Sequence, residues 1–230
     1  MPQTRTIRPP AVPDEVPFYA RALLKAFQSY IISKAHRQVR KQHAENLVQL
    51  ENTLKIISET REKMEPYLPK GAAVYNVAQF AFVIQYDISI LAHDVLLSPD
   101  GWKRKLYSRL LALTLIESVE DVSQMLGWKF RQTVKAIYND AALDTRIMEL
   151  TRAMGHFESK HGKALREIRH TVSAHRDHDA KTQLRVIGGL DCQRLLALTA
   201  DFVAQNRQVL DLLYDLITAA EKRFLYLKML

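Results

Sequence analysis

Cysteine, glycine and proline are all scarce in this sequence. Cys192 is the only cysteine, so an internal disulfide and a cysteine-based metal site are both excluded. The 230 residues include 7 glycines and 8 prolines, and several of the prolines fall within residues 1–17. Because few residues after that stretch would interrupt a helix, we expect residues 17–230 to be almost entirely helical. We expect residues 1–16 to form a flexible, proline-rich arm.

The sequence also lacks the apolar segments that direct a chain into or across a membrane. Residues 1–17 have no apolar core of the kind found in a secretory signal. Five polar side chains interrupt the most apolar run, residues 77–97: Gln79, Gln85, Asp87, His93 and Asp94. A bilayer would accommodate them only at a high cost in free energy. We therefore expect a buried helix here, no membrane partner and a cytoplasmic protein.

Positive charge is the one compositional hint of a partner. The 33 lysines and arginines outnumber the 25 aspartates and glutamates, which gives a formal net charge of +8. A basic surface attracts nucleic acid or an anionic membrane without specifying which. Composition alone is equally consistent with a protein that is merely basic.

Apolar residues recur at alternating steps of three and four along most of the chain, which predicts α-helices and no sheet. We expect an all-α fold, an antiparallel bundle of about five long helices, in which residues 17–230 form a single domain. Residues 34–46 are polar nearly all round, so the first helix is either one very long helix or two that meet near His36–His43. Helices of this length favour packing against a second copy, a homodimer.

Local breaks predict where the helices begin and end. Ser98 and Pro99 are placed to cap and start the third helix, and Gly127 to end it in a left-handed conformation. Asn139 marks the end of a shorter helix, and residues 181–187 read as a connector before the last helix.

The stretch from residue 143 to residue 179 carries two parallel stripes on one predicted helix. Apolar positions such as Leu150, Met154 and Phe157 form a packing seam. The second stripe runs through small and then basic residues: Gly155, Ser159, Gly162, Arg166, Arg169, Ser173 and Arg176. Each mid-helix glycine costs about 1 kcal/mol relative to alanine, so we expect another backbone or a ligand to approach closely there.

The end of this stretch is rich in groups that could do chemistry. His175, His178 and Asp179 are spaced so that one helix could present all three to a metal ion, although no matching ligands stand out elsewhere. Cleavage of RNA without a metal needs a base, an acid and a fixed cation near the phosphate. Histidine suits the proton transfers and arginine matches phosphate oxygens, so His175 and Arg169 provide both kinds of group.

The residues Ile168-Arg169-His170-x-Val172-x-Ala174-His175-Arg176-Asp177 resemble the Arg-x(4–6)-His signature of the HEPN superfamily, closest in wording to its abortive-infection branch. The resemblance covers roughly residues 165–191. It implies a helical dimer whose two motifs meet in one cleft, often with metal-independent endoribonuclease activity. It also implies a toxin of a toxin–antitoxin or abortive-infection system, with an acidic antitoxin protein as partner.

On this basis we predict Arg169 and His175 as catalytic residues, with His170 and Arg176 in support. We predict that Lys163 and Arg166 bind RNA, and that no metal or other cofactor is needed. The alternative is a non-catalytic HEPN-like binding or scaffold module. The two functions differ in whether Arg169 and His175 line an open basic cleft or are held in buried ion pairs, for which Asp177 and Glu167 are the nearest carboxylates in sequence.

Six positions separate Arg169 from His175, which places them about 120° apart around a straight helix. Three arrangements could still bring the two side chains together. The long arginine could reach round, the helix could end early, or the second copy in a dimer could contribute one of the pair.

Overall fold

The computed structural model describes residues 18–99, 101–170 and 180–229, and the regular structure in these ranges is entirely helical. They contain seven α-helices and one 3₁₀ turn, Pro69–Gly71: α1 (Phe18–Met64), α2 (Ala72–Leu97), α3 (Trp102–Met125), α4 (Trp128–Tyr138), α5 (Ala141–Ile168), α6 (Ala180–Gly188) and α7 (Cys192–Met229). The predicted all-α class is confirmed. Residues 1–16, the predicted arm, lie outside the described ranges.

Two of the seven helices are short: α4, which corresponds to the predicted shorter helix that ends at Asn139, and α6, which was not predicted. Residues 181–187, which we expected to be a connector, belong to α6. That prediction is wrong for a simple reason: the helix has only nine residues, and Ile187 is its one fully buried side chain. Nine residues are too few for the three-four spacing of apolar positions to repeat.

The first helix is one continuous α-helix, which resolves the choice left open by its polar middle. The chain divides between Asn46 and Leu47 into two compact units. In the first unit, residues 33–46 are exposed at every position except His43, and the Lys41–Glu45 ion pair and the Gln42–Asn46 hydrogen bond link successive turns. In the second unit, Ile57 and Met64 of α1 are buried in the core.

The core of the second unit is built around α3. This helix packs against α2 on one side and α5 on the other, and α7 contacts α2, α5 and α3. Five apolar residues of α3 are completely buried: Leu111, Ala112, Leu115, Ile116 and Val119. The apolar three-four spacing of these helices is therefore a packing pattern, consistent with a helical bundle.

Polar contacts also fix how α7 lies in this core. Asn206 is fully buried, and its side-chain amide donates to the Ala81 carbonyl at 3.3 Å and to Gln85 Oε1 at 3.2 Å. The Tyr138 hydroxyl of α4 donates to the Leu216 carbonyl at 2.6 Å. Buried groups of this kind are costly when unpaired, so they favour one register of α7 against its neighbours.

The helix boundaries around α3 correct two predictions. The helix begins at Trp102, after Gly101 with a φ of 123°, and Pro99 lies before it. Gly127 is extended, with φ −65° and ψ −170°, and it precedes α4 without ending α3 in a left-handed conformation. A Cβ on Gly127 would lie 2.8 Å from the Gln124 carbonyl oxygen, so close approach explains this glycine. Asn139 lies at the end of α4, as predicted, and it has a left-handed conformation.

One stretch of the described chain, Pro69–Leu97, is long and apolar enough to cross a membrane by length and composition alone. Its buried residues, such as Ala78, Ala81 and Ile88, belong to the same core as α3 and α7. A core helix meets the same length and composition criteria. The absence of a membrane partner stays a prediction.

We predict that Leu212→Ala lowers the free energy of unfolding by about 2–5 kcal/mol, because a fully buried leucine leaves a cavity when it is truncated. Chemical denaturation measures the change. Tyr214→Ala is the matched control on the same helix, since Tyr214 is 70% exposed and its loss should cost less than about 0.5 kcal/mol. Equal costs for the two variants would contradict this placement of α7.

Candidate functional site at the end of helix α5

The α-helical part of α5 ends at Ile168, and the end that we predicted for this helix, residue 179, lies outside the described ranges. Asp140 caps the beginning of the helix by accepting a hydrogen bond from the Ala142 amide at 2.8 Å. At its other end, Arg169 and His170 form a π-helical turn. Residues 171–179 lie outside the described ranges, and with them the predicted site residues His175 and Arg176.

The end of α5 carries an ion-pair network that connects it to α3. Arg169 Nη1 donates to Glu120 Oε2 at 3.3 Å, and its Nη2 lies 4.0 Å from Glu117 Oε1. Arg166 Nη1 donates to Glu120 Oε1 at 3.2 Å and to Glu158 Oε1 at 2.8 Å. Glu120 therefore uses its two carboxylate oxygens to join two arginines that are three residues apart on the neighbouring helix.

The spacing of the charges explains why they meet. Glu117 and Glu120 are three apart on α3, and Arg166 and Arg169 are three apart on α5. Residues with this spacing share one face of a helix, so two packed helices bring the two pairs together. Both arginines could be identified from the sequence, but their partners could not. Asp177, which we considered as a partner of Arg169, is outside the described residues, and the partners found for Arg169 are on α3.

The environment of these arginines is partly polar and partly enclosed. The Arg169 side chain is 28% exposed, and its Nε is buried without a hydrogen-bond partner among the described residues. The hydrogen bonds with Glu158 and then Glu120 raise the pKa of Arg166 above its usual value. The Arg166 guanidinium therefore remains charged, and the carboxylates hold both guanidinium groups in defined orientations.

The other described candidates, His170 and Lys163, are exposed. Gly162, on the same stripe, is buried beneath the Arg166 side chain, whose Nη2 would lie 2.9 Å from an added Cβ. Gly155 has nothing within 4 Å of the position where a Cβ would stand. The close neighbour that we expected at Gly162 is thus an arginine of the same helix, whereas the space beside Gly155 is open.

A crevice between α5 and α7 lies further back along the same helix and has a volume of about 230 Å³. It is lined by His156, Phe157, Lys160, His161, Asp201, Ala204 and Gln205. Burial is the largest cause that lowers the pKa of His161, followed by the charge of nearby Lys160. His161 is four residues after Phe157, which is the spacing of the packing seam on α5. The sequence gives no sign of a cavity there, because the other wall comes from a distant helix.

The metal alternative concerns residues outside the described ranges, namely His175, His178 and Asp179. Within the described residues, no group of three or more histidine, cysteine, aspartate or glutamate side chains could hold a metal ion. The prediction that no metal is required therefore stays a prediction.

No protein-family model matches the chain, and neither a curated protein nor a solved structure matches it. The HEPN resemblance consequently depends on the residues of the motif alone, and membership of that superfamily stays a hypothesis.

We predict that a double-mutant cycle on Arg169→Ala and Glu120→Ala gives a favourable coupling free energy of about 0.2–1 kcal/mol at low salt, the range typical of partly exposed pairs. Denaturation of the four proteins measures it. Arg146 and Asp215, which also join two helices but have 40% and 54% exposed side chains, provide a comparison pair. A coupling of zero for Arg169 and Glu120 would show that this carboxylate does not hold the arginine.

Proposed function

We propose that this protein is a metal-independent endoribonuclease of the HEPN type, in which His175 transfers the proton and Arg169 holds the scissile phosphate. His170 and Arg176 support them, and Lys163 and Arg166 bind the RNA strand. The proposal includes a homodimer, a cytoplasmic location, and a toxin role with an acidic antitoxin protein as partner. The observation that supports it most directly is the fixed orientation of the Arg169 guanidinium.

A fixed cation is what this reaction requires. Charge develops on the phosphate oxygens as the 2′-hydroxyl attacks phosphorus, and a donor that is already oriented stabilises that charge without further reorganisation. Glu120 and Glu117 contact one side of the Arg169 guanidinium at 3.3 and 4.0 Å. A guanidinium has five N–H donors, so the contacts to these two carboxylates leave donors for a phosphate.

The proton transfers are assigned to His175 because a histidine titrates near neutral pH. As a base it would take the proton of the 2′-hydroxyl, and the oxygen would then form a bond to phosphorus. The bond from phosphorus to the 5′-oxygen would break, and that oxygen would receive a proton. The products are a 2′,3′-cyclic phosphate and a free 5′-hydroxyl. In a dimer, the His175 residues of the two copies could serve as base and acid.

The π-helical turn at Arg169 and His170 bears on how Arg169 and His175 could meet. The separation of about 120° applies to a straight α-helix through both residues. Arg169 already stands in a π-helical turn after the last α-helical residue, Ile168. The proposal therefore does not depend on straight-helix geometry between Arg169 and His175.

A specific observation favours the second candidate, a non-catalytic HEPN-like binding module. Three carboxylates, those of Glu117, Glu120 and Glu158, lie against the two guanidinium groups of Arg166 and Arg169. They oppose the attraction of a phosphate, and Arg166 in particular would have to exchange carboxylate contacts for phosphate contacts. In a binding module of this kind, the ion pairs would stabilise the packing of α5 against α3.

We predict that the purified protein cleaves single-stranded RNA in excess chelator, and that Arg169→Ala and His175→Ala each lower the rate by about 10²–10⁴-fold. The loss follows from removing a positioned cation or proton-transfer group. A gel-based cleavage assay with melting curves on each variant measures it. Arg207→Ala and His36→Ala are matched controls, since Arg207 is exposed on α7 and His36 is exposed in the first unit.

The controls should cleave like the unmodified protein. Cleavage that needs a divalent ion would support the metal site at His175, His178 and Asp179. Cleavage that persists in both test variants would mean that the catalytic residues are wrongly assigned. A protein that binds RNA but does not cleave it would favour the binding module.

We predict that Gly155→Ala weakens the homodimer, because a close partner backbone would fill the open space beside Gly155. Sedimentation over a range of protein concentrations measures the association. If no partner packs there, the alanine should raise the free energy of unfolding by about 1 kcal/mol and leave association unchanged. That second result would remove Gly155 from the dimer interface.

A further inference from the structure

The crevice between α5 and α7 has a composition that suits one class of ligand. It is about 230 Å³ in volume and separate from the Arg169 network. One wall, from α5, offers two cationic or potentially cationic groups, Lys160 and His156, together with aromatic side chains. The other wall, from α7, offers a carboxylate, Asp201, and an amide, Gln205.

The aromatic part of the crevice is rigid. Phe157 is only 3% exposed, and its ring packs on the Phe202 ring with centroids 5.9 Å apart. The His161 ring lies against Phe157, with centroids 5.0 Å apart and a tilt of 58°. His161 is only partly buried. A partly exposed imidazole held in this way can stack against a flat ring, as aromatic side chains do when they bind an unstacked base.

The polar groups beside the aromatic part of the crevice favour a ligand that donates hydrogen bonds. An ionised carboxylate can only accept hydrogen bonds, whereas an amide both donates and accepts. Gln205 Oε1 is buried and has no hydrogen-bond partner among the described residues, so the α7 wall offers acceptors from both side chains. Lys160 and His156 are exposed and stand one helical turn apart, so they share a face on which an anion can bind.

We propose that this crevice binds a guanine nucleotide, with the base against His161, Asp201 at the Watson–Crick edge of the base, and Lys160 and His156 at the phosphate. Guanine is the nucleobase that presents two adjacent donors, N1–H and the 2-amino group, to one carboxylate. Adenine, cytosine and uracil each place an acceptor beside a donor on that edge, and the acceptor would face the carboxylate unfavourably. The ligand is either a free guanine mononucleotide or a guanosine within single-stranded RNA.

If the ligand is a guanosine within single-stranded RNA, the crevice is connected with the proposed ribonuclease activity. Only this connection rests on the proposed function. Eight residues separate His161 from Arg169, which corresponds to about 12 Å along α5. A strand with its guanine in the crevice could extend along this helix towards Arg169. The crevice would then select guanine-containing RNA near the cleavage site.

The test measures binding of guanosine, adenosine, cytidine and uridine 5′-monophosphates to the full chain by calorimetry. We expect about tenfold or greater preference for the guanine nucleotide, the discrimination typical of a bidentate base contact. Asp201→Asn should remove most of that preference, because an amide can donate as well as accept. Asp211→Asn is the matched control, since Asp211 is exposed on the same helix outside the crevice and should leave the preference unchanged.

A second comparison shows whether the ligand is a free nucleotide or RNA. It also tests the guanine crevice separately from the proposed ribonuclease activity. Short single-stranded RNAs with one guanosine or with none are compared with the free nucleotides, using the His175→Ala variant, which should slow cleavage by about 10²–10⁴-fold while it keeps the phosphate contact of Arg169. Tighter binding of the guanosine-containing RNA identifies RNA as the ligand, and tighter binding of the mononucleotide identifies the free nucleotide. Because Arg169 is outside the crevice, guanine binding without cleavage in the unmodified protein would reject only the ribonuclease. Equal affinity for all four nucleotides, binding of none, or an unchanged preference in Asp201→Asn would overturn the crevice proposal.

Discussion

Burial of the apolar face of α3 is the constraint on which the rest of the second unit depends. Leu111, Leu115, Ile116 and Val119 are completely enclosed, and α3 is packed between α2 and α5. Because a helix has a fixed angular period, burying this face determines where its other side chains stand. Glu117 and Glu120 are thereby placed beside the last turn of α5. The ion-pair network at the candidate site follows from the packing of the core.

The network changes how the basic residues of the chain should be interpreted. A net charge of +8 suggested a surface that attracts phosphate, yet Arg166 and Arg169 are already in contact with carboxylates. Pairs with about a third of their side chains exposed contribute little free energy, so a ligand of high charge density could still displace them. Such pairs limit the conformations of the arginine side chains and only partly offset their positive charge. This is compatible with a phosphate site whose cation is positioned in advance, and also with a structural brace.

Much of the fold could be predicted from sequence because the apolar spacing records it directly. The all-α class and the end of α4 at Asn139 were predicted correctly, since each depends on a local pattern or one residue's conformational preference. The predicted left-handed conformation of Gly127 was wrong. The glycine is needed because the Gln124 carbonyl lies close to it, and that distance cannot be read from the sequence. Helix α6 was missed because its nine residues are too few for the apolar spacing to repeat.

The candidate site was predictable only in part, for a related reason. The motif contains Arg169, and the second stripe on the same predicted helix contains Arg166. Their partners on α3, Glu120 and Glu117, lie 46 to 52 residues earlier in the sequence, while Glu158, the other partner of Arg166, is on α5 itself. The matching three-residue spacing of Glu117 with Glu120 and of Arg166 with Arg169 was the available signal, and it becomes informative only once α3 and α5 are known to be neighbours. The crevice between α5 and α7 could not be predicted either, because three of its seven lining residues come from the distant segment 201–205.

The central claim is that the chain cleaves RNA through the 2′-hydroxyl with no metal ion. The most direct measurement uses an RNA that the protein cleaves in excess chelator, compared with the same RNA carrying a single 2′-deoxy substitution at the cleaved nucleotide, with mass analysis of the fragment ends. We predict that the substitution abolishes cleavage at that position, and that the unsubstituted RNA yields a 2′,3′-cyclic phosphate and a 5′-hydroxyl. Cleavage at the deoxy position, fragments that end in a 5′-phosphate, or no cleavage of any single-stranded RNA under these conditions would contradict the account.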